Sequence, residues 1–213
     1  MDENKKHLED LTHIRSLMEK SSRFLSLSGL SGVFAGIYAL IGAAIVYFDF
    51  KAGSVSYAEY VRSAVGDEQP TIRVYYLIGV AILVLLASVV TGFAFTSRKD
   101  KKQNLKIWDS SAKLMMSNLM IPLAAGGALG MILLQSGDFK YVAPITLLFY
   151  GLGLYSASKY SFVELRYLGL CEIILGLIGC LYIGYGLLLW SIGFGLLHIV
   201  YGAFMYYKYE RNN

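Results

Sequence analysis

Long apolar blocks separated by short charged segments dominate this chain. Four run at about 24–48, 74–96, 114–134 and 141–158, and a fifth is continuous from Leu165 to Tyr207. A hydrocarbon core of ~30 Å takes roughly 20 apolar residues of helix. At ~1.5 Å rise per residue the last block would make a rod of about 65 Å, which suits two crossings and not one. Gly184-Tyr185-Gly186 is the natural place to turn, because glycine reaches turn conformations at little steric cost. The pattern predicts an all-α polytopic membrane protein with six transmembrane helices, at about 24–48, 74–96, 114–134, 141–158, 165–184 and 187–207. These spans form one bundle over 24–208, between a cytoplasmic segment at 1–23 and a short tail at 209–213. A β-barrel would alternate in polarity over ~10-residue stretches, and these blocks do not. The first block exceeds the ~7–15-residue apolar region of a cleaved signal, so it is expected to remain as a span.

Composition agrees with that reading. Hydrophobic residues make up 56% and charged residues only 16%, more apolar surface than a water-soluble domain of this length could bury. The 22 Gly follow no collagen period, and two Cys cannot build a disulfide scaffold.

Charge sets the orientation. Lys5, Lys6, Arg15, Lys20 and Arg23 precede the first span, and Arg98, Lys99, Lys101, Lys102, Lys106 and Lys113 lie between the second and third. Lys159, Arg166, Lys208 and Arg211 fall on the same side of a six-span chain, leaving only Lys51, Arg62, Arg73 and Lys140 opposite. Cytoplasmic loops carry the excess of Lys and Arg, so both termini are expected in the cytoplasm of a bacterial cell, with the chain in the inner membrane. An odd number of spans would break this partition. The net charge of +4 then needs no nucleic-acid partner, since basic loops meet anionic lipid headgroups.

Outside the spans, Leu8, Leu11, Ile14 and Met18 form an apolar stripe over residues 3–20, the spacing of an amphipathic helix. Leu105, Trp108, Ala112 and Met115 predict an amphipathic extension ahead of the third span, and Ser54–Val65 a short helix in the loop at 49–72.

Helices associate in lipid through close approach at small residues. Ser28, Gly32 and Gly36 are four apart on the first span. Gly126 and Gly130 on the third repeat that spacing, as do Gly153 with Ala157 and Gly176 with Cys180. These seams are expected to pack the bundle, or to pair two copies.

Ionisable groups inside a span signal function by default, because their cost must be offset. Glu172 lies about 9 Å, six residues of helix, beyond Arg166, and His198 sits near the middle of the last span. Lys159, Glu164 and Arg166 surround the cytoplasmic mouth. The expected cluster pairs Glu172 with His198 or with a basic neighbour, either to fix helix register or to handle a proton or substrate. On the third span Pro122 frees the carbonyl of residue 118 and kinks the helix, and Asn118 on the same face makes the pair a candidate hinge. No catalytic motif, metal-ligand spacing or haem pair is apparent, so no cofactor or metal is expected. Cys171 and Cys180, nine apart on one helix, face opposite ways and cannot bridge.

The stretches Ile14–Gly32, Tyr150–Gly176 and Gly193–Gly202 together resemble a group of small multi-pass inner-membrane proteins found chiefly in Bacteroidetes-type bacteria. The resemblance implies a helical inner-membrane protein and carries over no functional residues. Automatic labels sometimes call such proteins β-carotene monooxygenases. Carotenoid-cleavage enzymes are β-propellers holding iron with four His, whereas this chain has three His and helical spans. The residues favour a non-catalytic accessory or regulatory subunit, with membrane lipid and another membrane subunit or a second copy as partners. The alternative is a small oligomeric transporter or channel using the Glu172 and His198 region, with an enzyme in third place.

Overall fold

A computed structural model describes residues 28–63, 72–103 and 110–211. The expected amphipathic segment at 3–20, with residues 105 and 108 of the second one, lies outside the described residues. The described residues form seven helices: α1 (Gly29–Ala52), α2 (Tyr57–Ser63), α3 (Ile72–Gln103), α4 (Ser110–Gln135), α5 (Val142–Ala157), α6 (Glu164–Leu181) and α7 (Gly186–Tyr209). Five of them, all but α2 and α6, are long and apolar enough to cross a membrane, α5 together with the 3-10 turns on either side of it as Phe139–Tyr160. The shortfall of α6 against the expected six has a plain cause, since its 18 residues include Glu164, Arg166 and Glu172.

Boundaries shift by a few residues from those expected. α3 runs on to Gln103 and α1 to Ala52. α6 stops at Leu181, and the turn after it places Gly184 at φ 106°, a conformation that glycine adopts freely. The short helix in the loop is α2. It starts at a reciprocal cap in which Glu59 N–H donates to Ser56 Oγ at 3.1 Å and Ser56 N–H donates to Glu59 Oε2 at 3.0 Å, the S-x-x-E capping box. α2 closes one end of the bundle. Tyr60 and Val61 pack there with Val46, Phe50 and Val74, and the Arg73 guanidinium lies 5.3 Å from the centre of the Phe50 ring.

Two hydroxyls in the apolar helices bond within their own helix. Ser88 Oγ donates to Val84 O at 2.7 Å and Thr146 Oγ1 to Ala143 O at 2.7 Å, so these polar side chains can face hydrocarbon without an unsatisfied donor.

The helices do not pack in chain order. α4, α5 and α6 form one tight group, whereas α7 lies mainly against α1, and α3 packs chiefly on α1. Glycine decides both contacts. A methyl group placed on Gly36 would come within 2.5 Å of Gly195 O, and one on Gly202 within 2.5 Å of Val33 N. Gly195 and Gly202 are two turns apart, so they face α1 together, and α1 answers with Gly29, Gly32 and Gly36. α5 and α6 meet in the same way. A methyl on Gly151 would lie 2.6 Å from Gly169 O, and one on Gly176 would lie 2.7 Å from Leu148 N. Backbones in such contact gain dispersion that Leu against lipid cannot supply. Ser28, at the head of the expected first seam, instead donates from Oγ to Glu210 Oε2 at 3.1 Å.

One expectation about α4 is corrected. Gly126 meets the Phe149 ring, but Gly130 has no neighbouring helix within 4 Å of where a side chain would start. The close approach of α4 to α5 is made instead at Gly126 and at Gly153, where a methyl would come 2.8 Å from Leu123 Cδ1. α4 is one helix through Pro122, and Asn118 Nδ2 donates to Leu114 O at 2.8 Å, on its own helix. The carbonyl one turn back is the nearest acceptor for an amide at the hydrocarbon surface.

Candidate functional site

α5, α6 and α7 converge on one carboxyl. Glu172, in the middle of α6, is 0% exposed. Glycines on either side make room for it. A methyl on Gly151 of α5 would press on Glu172 Cβ at 2.9 Å, and one on Gly193 of α7 would overlap Oε2. Leu147, also 0% exposed, packs against the same point of Gly193.

His198 stands opposite, with Nδ1 3.5 Å from Glu172 Oε1. The imidazole hydrogens are nevertheless committed elsewhere. Nδ1 lies 2.9 Å from Gly193 O, and Nε2 lies 2.9 Å from the Tyr150 hydroxyl. A carbonyl only accepts, so Nδ1 carries a hydrogen and donates it. In the neutral ring Nε2 then accepts from the tyrosine O–H. The ring is held between aromatic faces, with its centre 5.4 Å from that of Tyr150 and 5.8 Å from that of Phe194. Both hydrogen-bonding positions of His198 are thereby satisfied. Neither oxygen of Glu172 has a hydrogen-bond partner among the described residues.

The backbone around this group is unusual. Ser191–Leu197, within α7, is π-helical. Such turns are rare and concentrate at functional sites. Gly193 and Gly195 both lie in it: one clears space for Glu172, the other for α1.

The remaining residues of the expected cluster stand apart from this centre. Glu164, at the start of α6, binds Lys208 Nζ at 2.5 Å and accepts from the Tyr209 hydroxyl at 2.9 Å, both on Oε1. Arg166 is exposed, donates from Nη2 to the Tyr155 hydroxyl at 3.0 Å and stacks over that ring. Lys159 is exposed in the 3-10 turn after α5. Arg166 and Glu164 lie about two turns of α6 before Glu172, and their side chains bond away from it. The mouth and the buried centre are therefore two sites, each with its own partners.

Tyr150, Gly151 and Gly193 escaped sequence reasoning as site residues. Each lies on a helix other than that of Glu172. The available signal was a glycine on each neighbouring helix at the depth of a lone acidic residue, where space for a carboxyl has to be made.

A separate cavity of about 110 Å³ lies nearer the α2 end, between α1, α3, α5 and α7, with mostly apolar walls that include Val46, Leu77 and Leu187. Comparison with protein families, with curated proteins and with solved structures finds no match to this chain.

Proposed function

We propose that this chain is a six-span inner-membrane protein, with both termini cytoplasmic, that binds and releases a proton at Glu172 as part of small-scale transport. The observation that carries the reading is the carboxyl of Glu172, sealed from solvent with no donor on either oxygen among the described residues, beside an imidazole already satisfied by Tyr150 and Gly193. Leaving a buried charge unpaired costs several kcal/mol. A stable register-fixing pair would engage both partners, and here only one is engaged. Intramembrane carboxyl and imidazole groups in such settings mark proton and ion pathways.

Six crossings are supported by the seat of α6. Its 18 residues span about 27 Å, and it lies along α5 from Gly169 to Gly176. A helix held in that way crosses wherever its neighbour does. The distribution of Lys and Arg supports the same even number.

The test is proton movement into liposomes that contain the purified chain and an entrapped pH-sensitive dye. An imposed gradient should discharge faster with the wild type than with Glu172→Gln, while Tyr167→Phe, altered at an exposed ring, should match the wild type. Equal rates for the wild type and Glu172→Gln count against the reading.

The accessory-subunit reading keeps one observation in its favour. α3 packs chiefly on α1, and Gly79 and Gly92 on it have nothing within 4 Å, as on a face awaiting another helix. Purification in mild detergent tests it: a stoichiometric foreign subunit supports it, and a chain recovered alone opposes it.

A further inference from the structure

We propose that the apolar cavity at the α2 end of the bundle holds part of one acyl chain of a membrane phospholipid, with Tyr57 donating to its ester carbonyl and Arg73 binding its phosphate. The inference is independent of the proton-binding reading, since it concerns a cavity separate from the Glu172 centre.

The cavity measures about 110 Å³, and its walls include Val46 of α1, Val74, Leu77 and Ile78 of α3, Leu134 of α4 and Leu187 of α7. A buried water needs two to four polar partners, whereas apolar cavities of ~150 Å³ stay dry and take guests the size of benzene. Thr146 also lines this one, but its hydroxyl proton is spent on Ala143 O at 2.7 Å. The space therefore suits a short run of methylenes and not water. Left empty, its walls would forfeit dispersion contacts.

Hydrocarbon reaches the cavity sideways. α3 packs chiefly on α1, and α4 chiefly on α5, yet Leu77 of α3 and Leu134 of α4 line the same space. The opening lies between these two helices. Ala81, another wall residue of α3, is exposed there. A lipid chain beside the bundle can enter by that gap, with the rest of its length remaining in the bilayer.

Two polar groups at this end fit the remainder of such a lipid. Tyr57 lines the cavity. Its hydroxyl lies 3.1 Å from the point where a side chain on Gly186 would start, and Ala143, also a wall residue, lies 3.6 Å from that point. Burial alone pushes the Tyr57 hydroxyl up to about 12, so it stays protonated and free to donate. The Arg73 guanidinium lies 5.3 Å from the centre of the Phe50 ring and 5.8 Å from that of Tyr60. Both rings pack with Val46 and Val74, which puts the cation at the rim of the cavity. Among the described residues no carboxylate pairs with it. Ring faces hold a guanidinium without using its N–H donors, and its planar fork matches phosphate oxygens. Cation, neutral donor and apolar space thus correspond to the phosphate, ester and chain of one glycerophospholipid. A free fatty acid offers the chain and an anion but no separate ester.

The experiment titrates the full-length protein in dodecyl maltoside with phosphatidylglycerol that carries a diazirine in one acyl chain. After irradiation, labelled residues are located by peptide mass spectrometry. Labelling should saturate and should favour the walls at Leu77, Leu134 and Leu187 over Leu83 and Leu86, which are exposed on α3. Arg73→Gln should raise the half-saturating concentration roughly tenfold or more, as for a lost charge-assisted hydrogen bond. Tyr57→Phe should raise it about fivefold, as for a neutral one, and Lys159→Gln, an exposed cation elsewhere, should leave it unchanged. Ala143→Leu, which narrows the cavity, should remove the wall labels and spare those on Leu83 and Leu86. If that variant fails to fold, the two rim variants decide. Equal labelling of the walls and of Leu83 and Leu86 in the wild type overturns the site. Wild-type half-saturation in Arg73→Gln overturns the bound phosphate, and the assignment to a phospholipid with it. Oleic acid bearing the same diazirine overturns that assignment too if it labels the walls at equal concentration.

Discussion

His198 Nδ1 approaches Glu172 Oε1 to 3.5 Å and yet directs its hydrogen to the carbonyl of Gly193, 2.9 Å away. The two groups are neighbours without a hydrogen bond between them, the imidazole bonded to Gly193 and Tyr150 and the carboxyl without a partner among the described residues. A group kept for stability would be better paired, and an unsatisfied buried polar group costs ~1–3 kcal/mol. Glu172→Leu, similar in volume and apolar, should therefore raise stability by about that amount. The thermal midpoint of the detergent-purified variant checks this. A fall in midpoint would mean that the carboxyl serves the fold.

Gly193 should tolerate no side chain while Glu172 is present. A methyl there overlaps Glu172 Oε2 and comes within 2.5 Å of Leu147 Cδ2, so Gly193→Ala should cost about 1–3 kcal/mol through overpacking. Part of that cost belongs to the carboxyl. In a Glu172→Ala background the penalty should shrink by ~0.5–3 kcal/mol, the usual coupling of touching residues. Midpoints of the two single variants and the double variant measure it, and strict additivity would contradict the contact.

The glycines of the bundle should divide sharply on substitution. Gly202→Ala pushes a methyl within 2.5 Å of Val33 N, where only a backbone shift can relieve it, and should cost about 1–3 kcal/mol. Gly127 and Gly130 have nothing within 4 Å. Alanine at either should be neutral, or stabilising by up to ~1 kcal/mol from helix propensity. Parallel thermal unfolding of the three variants is the check.

Glu210 joins the two ends of the described chain. Its Oε1 accepts from Gly29 N–H at 2.6 Å and its Oε2 from Ser28 Oγ at 3.1 Å. This is a cap for α1 supplied by the residue after α7. Glu210→Ala should cost ~0.5–2 kcal/mol, as for other lost caps, and should raise amide hydrogen exchange in the first turn of α1 before any other helix. Exchange unchanged at that turn would show that water replaces the cap.

Reporter tags at residues 1 and 213 should be found on the same, cytoplasmic side of the membrane. Protease or alkylation access in intact cells against inverted vesicles decides it. Tags on opposite faces would mean that α6 does not cross.

The all-helical architecture was written in the pattern of the sequence, because lipid forces every backbone amide into a helix, although five helices and not the expected six are long and apolar enough to cross. The turn at Gly184 and the short helix after Ser56 were legible for that reason, since each depends on neighbours in sequence. Helix partners were not. Gly29, Gly32 and Gly36 announce a close contact without saying that it is made by Gly195 and Gly202 at the far end of the chain. Gly126 and Gly130 share the same spacing, yet only one meets a neighbour. The expected cluster of Lys159, Glu164, Arg166, Glu172 and His198 separated into a mouth and a buried centre for the same reason. Sequence spacing measures position along one helix, whereas hydrogen bonding depends on lateral approach between helices. That approach is decided by glycine-to-glycine contact and by the π-helical turn of α7, and only the tertiary structure reveals either.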